Sequence, residues 1–173
     1  MEDVKDIIDR VTEYYATPIR LGSRCEANVF YRVEDLSSDE LEVIAEQLAE
    51  RIVNVCAPTL PQLLISLPGS FAGLARVLSK TLAPYGESLE VVNIEQLSPG
   101  KGKGTWLRGS NVILINDVIT TARTCLEAHT RATVMGATVL CWAAIIDRTF
   151  GPGPVPVVAG MNGEPVQFLE DLP

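Results

Sequence analysis

The sequence predicts an α/β fold, a mainly parallel sheet flanked by helices, and three observations carry that prediction. Short apolar runs alternate with helix-spaced segments over residues 63–146. Such alternation lays helices on both faces of a parallel sheet. Two of the runs, 63–67 (LLISL) and 112–115 (VILI), are nearly continuous in apolar residues, as strands buried on both faces are. The composition, 173 residues with 47% hydrophobic and 21% charged, suits one globular domain spanning 1–173 with a real core.

The elements follow in order. Over 3–15, Val4, Ile7, Ile8, Val11, Tyr14 and Tyr15 recur at helical spacing, which predicts a helix ended by Thr17-Pro18. Residues 28–33 predict a short strand. Ser37 with Glu40 three residues on forms a capping box, and the helix it opens runs to about Val55, with Leu41, Ile44, Ala45, Leu48, Ile52 and Val55 on one face. Pro58 and Pro61 break the chain. The run 63–67 is a strand, Pro68-Gly69-Ser70 a turn, 71–82 a helix and 89–94 a strand. A loop rich in glycine and lysine spans 96–109. The strand 112–115, a helix over 121–135 with Gly136 just beyond its end, and a last core strand over 137–146 complete the alternation.

Charge and cysteine usage narrow the function classes. A net charge of −8 argues against a nucleic-acid-binding surface, but leaves room for a small anion held by local donors. No apolar run approaches the ~20 residues of a membrane span, and the opening MEDVKDIIDR is charged and lacks a signal-peptide core. Cys25, Cys56, Cys125 and Cys141 form no CxxC pair, and the single histidine, His129, has no cysteine nearby in sequence. A zinc site is not expected; reduced thiols in a cytoplasmic protein are.

The chemistry concentrates in 112–128, VILINDVITTARTCLEA. A buried strand runs into Asn116 and Asp117, then into a hydroxyl-rich loop with Thr120, Thr121, Arg123 and Thr124, then into a helix. Backbone N–H groups and the helix dipole at such a helix start favour an anion, and threonine hydroxyls add donors. A carboxylate beside them suits sugar hydroxyls or a magnesium shell. These parts together suit a phosphorylated sugar. In a sheet of this kind, ligands bind outside the carboxyl ends of the strands, so the loops after Leu67, Ile94 and Ile115 are expected to share one site.

This stretch resembles the signature of the type I phosphoribosyltransferases: a hydrophobic strand, two acidic residues, two variable residues and a threonine- and glycine-rich phosphate loop. Asn116 stands where the first acid is expected, and Ala122 and Arg123 where small residues cradle the 5-phosphate. Pro68, Gly69 and Ser70 match the family's pyrophosphate loop, although an ordinary turn with Ser70 as N-cap is the alternative. Gly100-Lys101-Gly102-Lys103-Gly104 resembles the mobile catalytic loop of the orotate phosphoribosyltransferases, without the arginine expected upstream; the alternative is a solvated surface loop. The orotate enzymes also carry a hood over the base, which here falls on about 1–36 and 151–173 around a core of 37–150. The hood segment 21–36 lacks the serine, proline and paired aromatics of an orotate site. Phe30 and Tyr31 are open to base stacking or to an ordinary core role, and Arg148 to a polar cap or a ligand contact.

The resemblance implies transfer of 5-phosphoribosyl from 5-phosphoribosyl 1-pyrophosphate to a nucleobase, orotate among the options, with Mg²⁺ and in a homodimer. Asp117, Lys101 and Lys103 would then be catalytic. Asn116, Thr120, Thr121, Ala122, Arg123, Thr124, Pro68, Gly69 and Ser70 would bind substrate, and Asn116 and Asp117 would meet the metal through water or the ribose hydroxyls. A weakened relative that binds a phosphoribosyl ligand or nucleotide as a sensor or regulator is the second reading. Asn116 and Ala122 favour it, whereas the lysine loop favours the enzyme.

Overall fold

The computed structural model describes residues 3–21, 25–69, 72–85, 89–97, 107–149 and 151–169. Ser70, Lys101 and Lys103 lie outside them, as does most of the glycine–lysine loop.

The first helix is shorter than its periodicity predicts. α1 (Val4–Arg10) buries Val4, Ile7 and Ile8, and the chain then enters strand β1 (Thr12–Leu21). The helical stripe is complete at Ile8, and the residues beyond it are β-branched or aromatic, a composition that packs better on a pleated surface. The Thr12 hydroxyl donates to the Ile8 carbonyl (2.7 Å) and closes the helix end. Tyr14, placed on the buried face by helical spacing, is 70% exposed. Pro18 does not end an element; it sits inside β1, where the register shifts between Tyr14 and Ile19. Proline is tolerated at such an irregularity because no ladder N–H is needed there.

Strand β2 (Cys25–Tyr31) pairs antiparallel with β1 and buries Cys25, Ala27, Val29 and Tyr31 in strict alternation. Helix α2 (Ser38–Cys56) opens with the expected capping box. Glu40 N donates to Ser37 Oγ (3.3 Å), and Ser37 N to Glu40 Oε2 (2.8 Å). Arg10 also pairs with Glu40. The guanidinium, then the Ser37 hydroxyl and N–H, hold the Glu40 carboxyl down at about 2. A depressed folded-state value stabilises the fold above the unfolded carboxylate range, ~4.3, and that contribution fades as pH falls from there toward about 2. Glu40→Gln is therefore expected to cost at most about 1 kcal/mol at pH 7, as a partly exposed pair and cap contact do. The cost should shrink in urea melts between pH 4.5 and 2.5; a pH-independent difference would remove Glu40 as its source.

The remaining elements build the large sheet. They are β3 (Leu63–Ser66), α3 (Ala72–Leu82), β4 (Glu90–Asn93), β5 (Asn111–Ile115), β6 (Val118–Ile119), α4 (Arg123–Val134), β7 (Thr138–Asp147), β8 (Val157–Asn162) and β9 (Gln167–Phe168). β4, β3, β5 and β7 are neighbours in that order, and every described pairing among them is parallel. Ile146 and Asp147 pair with β6 and with β8 at once. β5 and β6 therefore flank one side of β7 in succession, and β8 flanks the other. One core lies under α1, α2 and α3; a second, with Trp142, Cys125 and Ala128, lies under α4.

The tail differs from the expected hood. β8 completes the large sheet, and only β9 joins β1 and β2 in the small antiparallel one. Gly160 explains how the tail fits there. A Cβ at Gly160 would lie 2.8 Å from the Ile145 carbonyl oxygen, so only glycine lets β8 approach β7 this closely.

Candidate functional site

β5 ends at the segment 116–124, and backbone bonds fix the crossing. Asn116 N donates to the Ala143 carbonyl (2.9 Å), and the Asp117 carbonyl accepts from Ile145 N and Ile146 N (2.9 and 3.1 Å). Asn116 Oδ1 accepts from Asp117 N (3.0 Å), while its Nδ2 lies 4.0 Å from Cys125 Sγ. The residue in the first acidic position thus supplies no charge and turns its amide into the protein. Asp117 Oδ1 accepts from Val118 N (2.7 Å). Burial pushes the Cys125 thiol up to about 11, so Cys125 braces Asn116 rather than acting as a nucleophile.

Asn116, Thr120, Thr121, Ala122, Arg123 and Thr124 surround a cavity of about 110 Å³ at the start of α4. Thr121, Arg123 and Thr124 are exposed, and Arg123 pairs with Glu127 (2.8 Å). Ala122 precedes the helix with φ 58° and offers no side-chain cap. The left-handed conformation opens the first turn toward the cavity at a cost of ~1–2 kcal/mol for a residue with a Cβ. Ala122→Gly is expected to relieve this. The greater freedom of the unfolded chain takes back ~0.4–1 kcal/mol, so urea unfolding should show a net gain of up to about 1 kcal/mol. A destabilised variant would mean that the loop does not hold this conformation in solution.

The other predicted residues are placed as follows. Leu67 N donates to the Ile115 carbonyl (3.0 Å), so Pro68 and Gly69 leave the sheet beside Asn116. Both are exposed, and Gly69 is left-handed at φ 74°. Asp117 follows Asn116 at the same strand end but does not line the cavity.

Arg148 emerges as a central residue. It follows β7 and is only 3% exposed. Its Nε donates to the Glu164 carbonyl (2.7 Å), its Nη1 to the Val29 carbonyl (3.1 Å), and its guanidinium lies 5.2 Å from the centre of the Tyr31 ring. The Tyr31 hydroxyl accepts from Glu164 N (3.0 Å). Burial lowers the Arg148 pKa, and Nη2 is buried without a hydrogen-bond partner. Arg148, Tyr31, Phe30, Val118, Thr120 and Thr121 line a 320 Å³ cavity between the small sheet and the loop before α4. One face of Tyr31 is thus covered by Arg148, and Phe30 carries the Arg32 guanidinium at 5.9 Å.

Among the described residues no three carboxylate, histidine or cysteine side chains converge on a metal. With Asn116 uncharged and its oxygen occupied, Asp117 is the one carboxylate of the Asn116–Asp117 pair. That suits an ion carried on ligand phosphates, which needs only one or two carboxylates from the protein. No helix of the described residues is long and apolar enough to cross a membrane.

No family model matches the chain, and no curated protein does. Solved structures do. The orotate phosphoribosyltransferase of Mycobacterium tuberculosis is 15% identical, covering 92% of this chain and 94% of that one with a TM-score of 0.65. The adenine phosphoribosyltransferase of Leishmania donovani is 14% identical, with 93% and 80% covered and a TM-score of 0.66. A Neisseria gonorrhoeae protein solved with bound ppGpp is 18% identical, with 75% and 82% covered and a TM-score of 0.54. With its parallel sheet, flanking helices and small antiparallel sheet, this chain has the fold of the type I phosphoribosyltransferases.

Proposed function

We propose that the protein transfers a 5-phosphoribosyl group from 5-phosphoribosyl 1-pyrophosphate to a nucleobase, releasing pyrophosphate. The observation that carries this reading is the pair of adjoining cavities that share Thr120 and Thr121. The small one, at the start of α4, suits the 5-phosphate; the larger one, under the small sheet, suits the ribose and base. Thr120, Thr121 and Thr124 donate to the phosphate with the backbone N–H groups of the loop. Asp117 faces the charge that develops on the ribose, and Lys101 and Lys103 close over Mg²⁺-pyrophosphate and exclude water. Pro68, Gly69 and Ser70 also contact the pyrophosphate. Arg148, with an unpartnered Nη2, offers a cationic contact to the base.

A binder without turnover is the second reading, and the inward-turned Asn116 amide favours it. The likeness to a protein solved with ppGpp agrees with a nucleotide as its ligand.

Two measurements decide. Calorimetry with 5-phosphoribosyl 1-pyrophosphate should show binding that weakens by about 2 kcal/mol or more in Thr121→Val/Thr124→Val, since each lost bond to a charged group is worth ~1.5–3 kcal/mol. Equal affinity in the double variant would place the ligand elsewhere. Pyrophosphate release with Mg²⁺ and a panel of purine and pyrimidine bases then separates the readings: binding without release for any base leaves the binder.

A further inference from the structure

We infer that Cys56 and Cys141 form a peroxide-sensitive dithiol, which closes to a disulfide and fastens the end of α2 to β7. Their sulfurs lie 3.8 Å apart, in van der Waals contact. The other two thiols face different groups. Cys25 Sγ donates to the Leu21 carbonyl (2.9 Å), and Cys125 Sγ lies against the Asn116 amide. All four cysteines are free thiols. The pair is a product of the fold: its members are 85 residues apart in sequence and meet because α2 packs on β7.

Position makes one of the two thiols reachable. Cys141 is fully buried, whereas Cys56 is 7% exposed. Cys56 is the last residue of α2, and Ala57, Pro58 and Thr59 beyond it are exposed. Helix ends open locally at low cost, so a small oxidant gains the Cys56 sulfur while the sheet holds Cys141 in place. Ionisation follows the same order. The hydrogen bond between the two thiols holds Cys56 below the ordinary thiol value, and the same bond, with burial, pushes Cys141 up. Cys56 is therefore the attacking thiolate, and Cys141 the thiol that resolves it.

The chemistry balances with hydrogen peroxide as oxidant. The Cys56 sulfur attacks one peroxide oxygen, the O–O bond breaks, and a sulfenic acid and one water result. The Cys141 sulfur then displaces the hydroxyl group of that sulfenic acid. The S–S bond forms, and a second water leaves with the Cys141 proton. Each sulfur gives up one electron, and both peroxide oxygens are reduced. The bond encloses β3, β4 and β5, and a cross-link over so long a loop constrains the unfolded chain strongly. Neither thiol lines the two cavities at the strand ends, so the inference stands apart from the phosphoribosyl reading.

Peroxide treatment of the reduced, folded full chain tests it, with intact mass, a non-reduced tryptic map and thermal unfolding as readouts. The mass is expected to fall by about 2 Da as two thiol hydrogens are lost. Tryptic peptides 52–76 and 132–148 should appear cross-linked, and the Tm should rise by roughly 4–16 °C and return on reduction with dithiothreitol. Cys25→Ala/Cys125→Ala should keep the whole response. Cys141→Ala should lose the cross-link and leave a Cys56 sulfenic acid that dimedone captures. The mass and the map need no variant, so a poorly folding Cys141→Ala does not spoil the test. The inference is overturned if the folded chain forms no 56–141 cross-link, if peroxide takes Cys56 to the sulfinic acid instead, or if the bond forms only in urea.

Discussion

Asp117→Asn is expected to lower pyrophosphate release by about 10²–10³, a loss of roughly 2.7–4 kcal/mol, by analogy with removal of one preorganised group facing transition-state charge. Affinity for 5-phosphoribosyl 1-pyrophosphate should change far less. The asymmetry follows from the strand end. Asn116 spends its amide oxygen on Asp117 N and points its nitrogen toward Cys125, so Asp117 supplies the only negative charge of the pair. In the proposed transfer, positive charge grows on the ribose as pyrophosphate leaves, and a carboxylate facing it counts for more in that state than in the ground state. Asn116→Asp adds the second charge and should raise turnover. It also loses the amide donor toward Cys125, so some stability goes with it. Steady-state kinetics on both variants checks the assignment: unchanged release in Asp117→Asn, with wild-type activity present, would put the charge on another carboxylate.

The elements legible in the sequence were those whose local pattern and tertiary role agree. α2 has a capping box and an uninterrupted apolar stripe, and its bounds, Ser38–Cys56, lie within a residue or so of the expected ones. β3 and β5 are apolar throughout because helices cover both faces of the sheet. β1 was hidden because α1 and the first half of β1 share a spacing that fits a helix. What decides for a strand is pairing with β2, a partner that local periodicity does not register. β8 was hidden for a related reason. Its run VVAGMN is interrupted by Gly160, which weakens a strand pattern read alone yet is what the close contact with β7 requires.

The shape of the segment from Asn116 to Thr124 was legible because it is contiguous: one strand end, one loop and one helix start carry it. Even the left-handed backbone at Ala122 could be anticipated, since small residues, usually glycine, stand there in the family that the stretch resembles. The cavities that flank the loop were not legible. They join β2 to β7, the turn after β7 and the tail, more than a hundred residues later in sequence, and only the folded chain brings Val29 and Arg148 into hydrogen-bond contact. The available signal was the charged pair Asp147-Arg148 placed directly after the apolar run WAAII.

Arg148→Met is expected to destabilise the fold by about 3–5 kcal/mol, as the loss of two hydrogen bonds from a charged donor implies. A buried guanidinium is expensive in itself, and a well-packed apolar residue often replaces a buried ion pair at no loss. Here, however, the partners are the Val29 and Glu164 carbonyls. Methionine would leave both without this donor, and each such bond to a charged group is worth ~1.5–3 kcal/mol. The contacts also have a direction: they tie the end of β7 to β2 and to the tail, with Tyr31 stacked beneath and its hydroxyl accepting from Glu164 N. Arg148→Lys keeps the charge but not the planar fork, so it should retain part of the stability and lose one of the two carbonyl contacts. Urea unfolding of the two variants, with hydrogen exchange at residues 25–31 as a local readout, tests the arrangement. Protection there should fall in Arg148→Met before the large sheet opens, because β1 and β2 lose their tie to β7 while the parallel strands keep theirs. A loss below about 1 kcal/mol, the net worth of a single ordinary hydrogen bond, with unchanged exchange over 25–31, would mean that the small sheet is held by its apolar contacts alone.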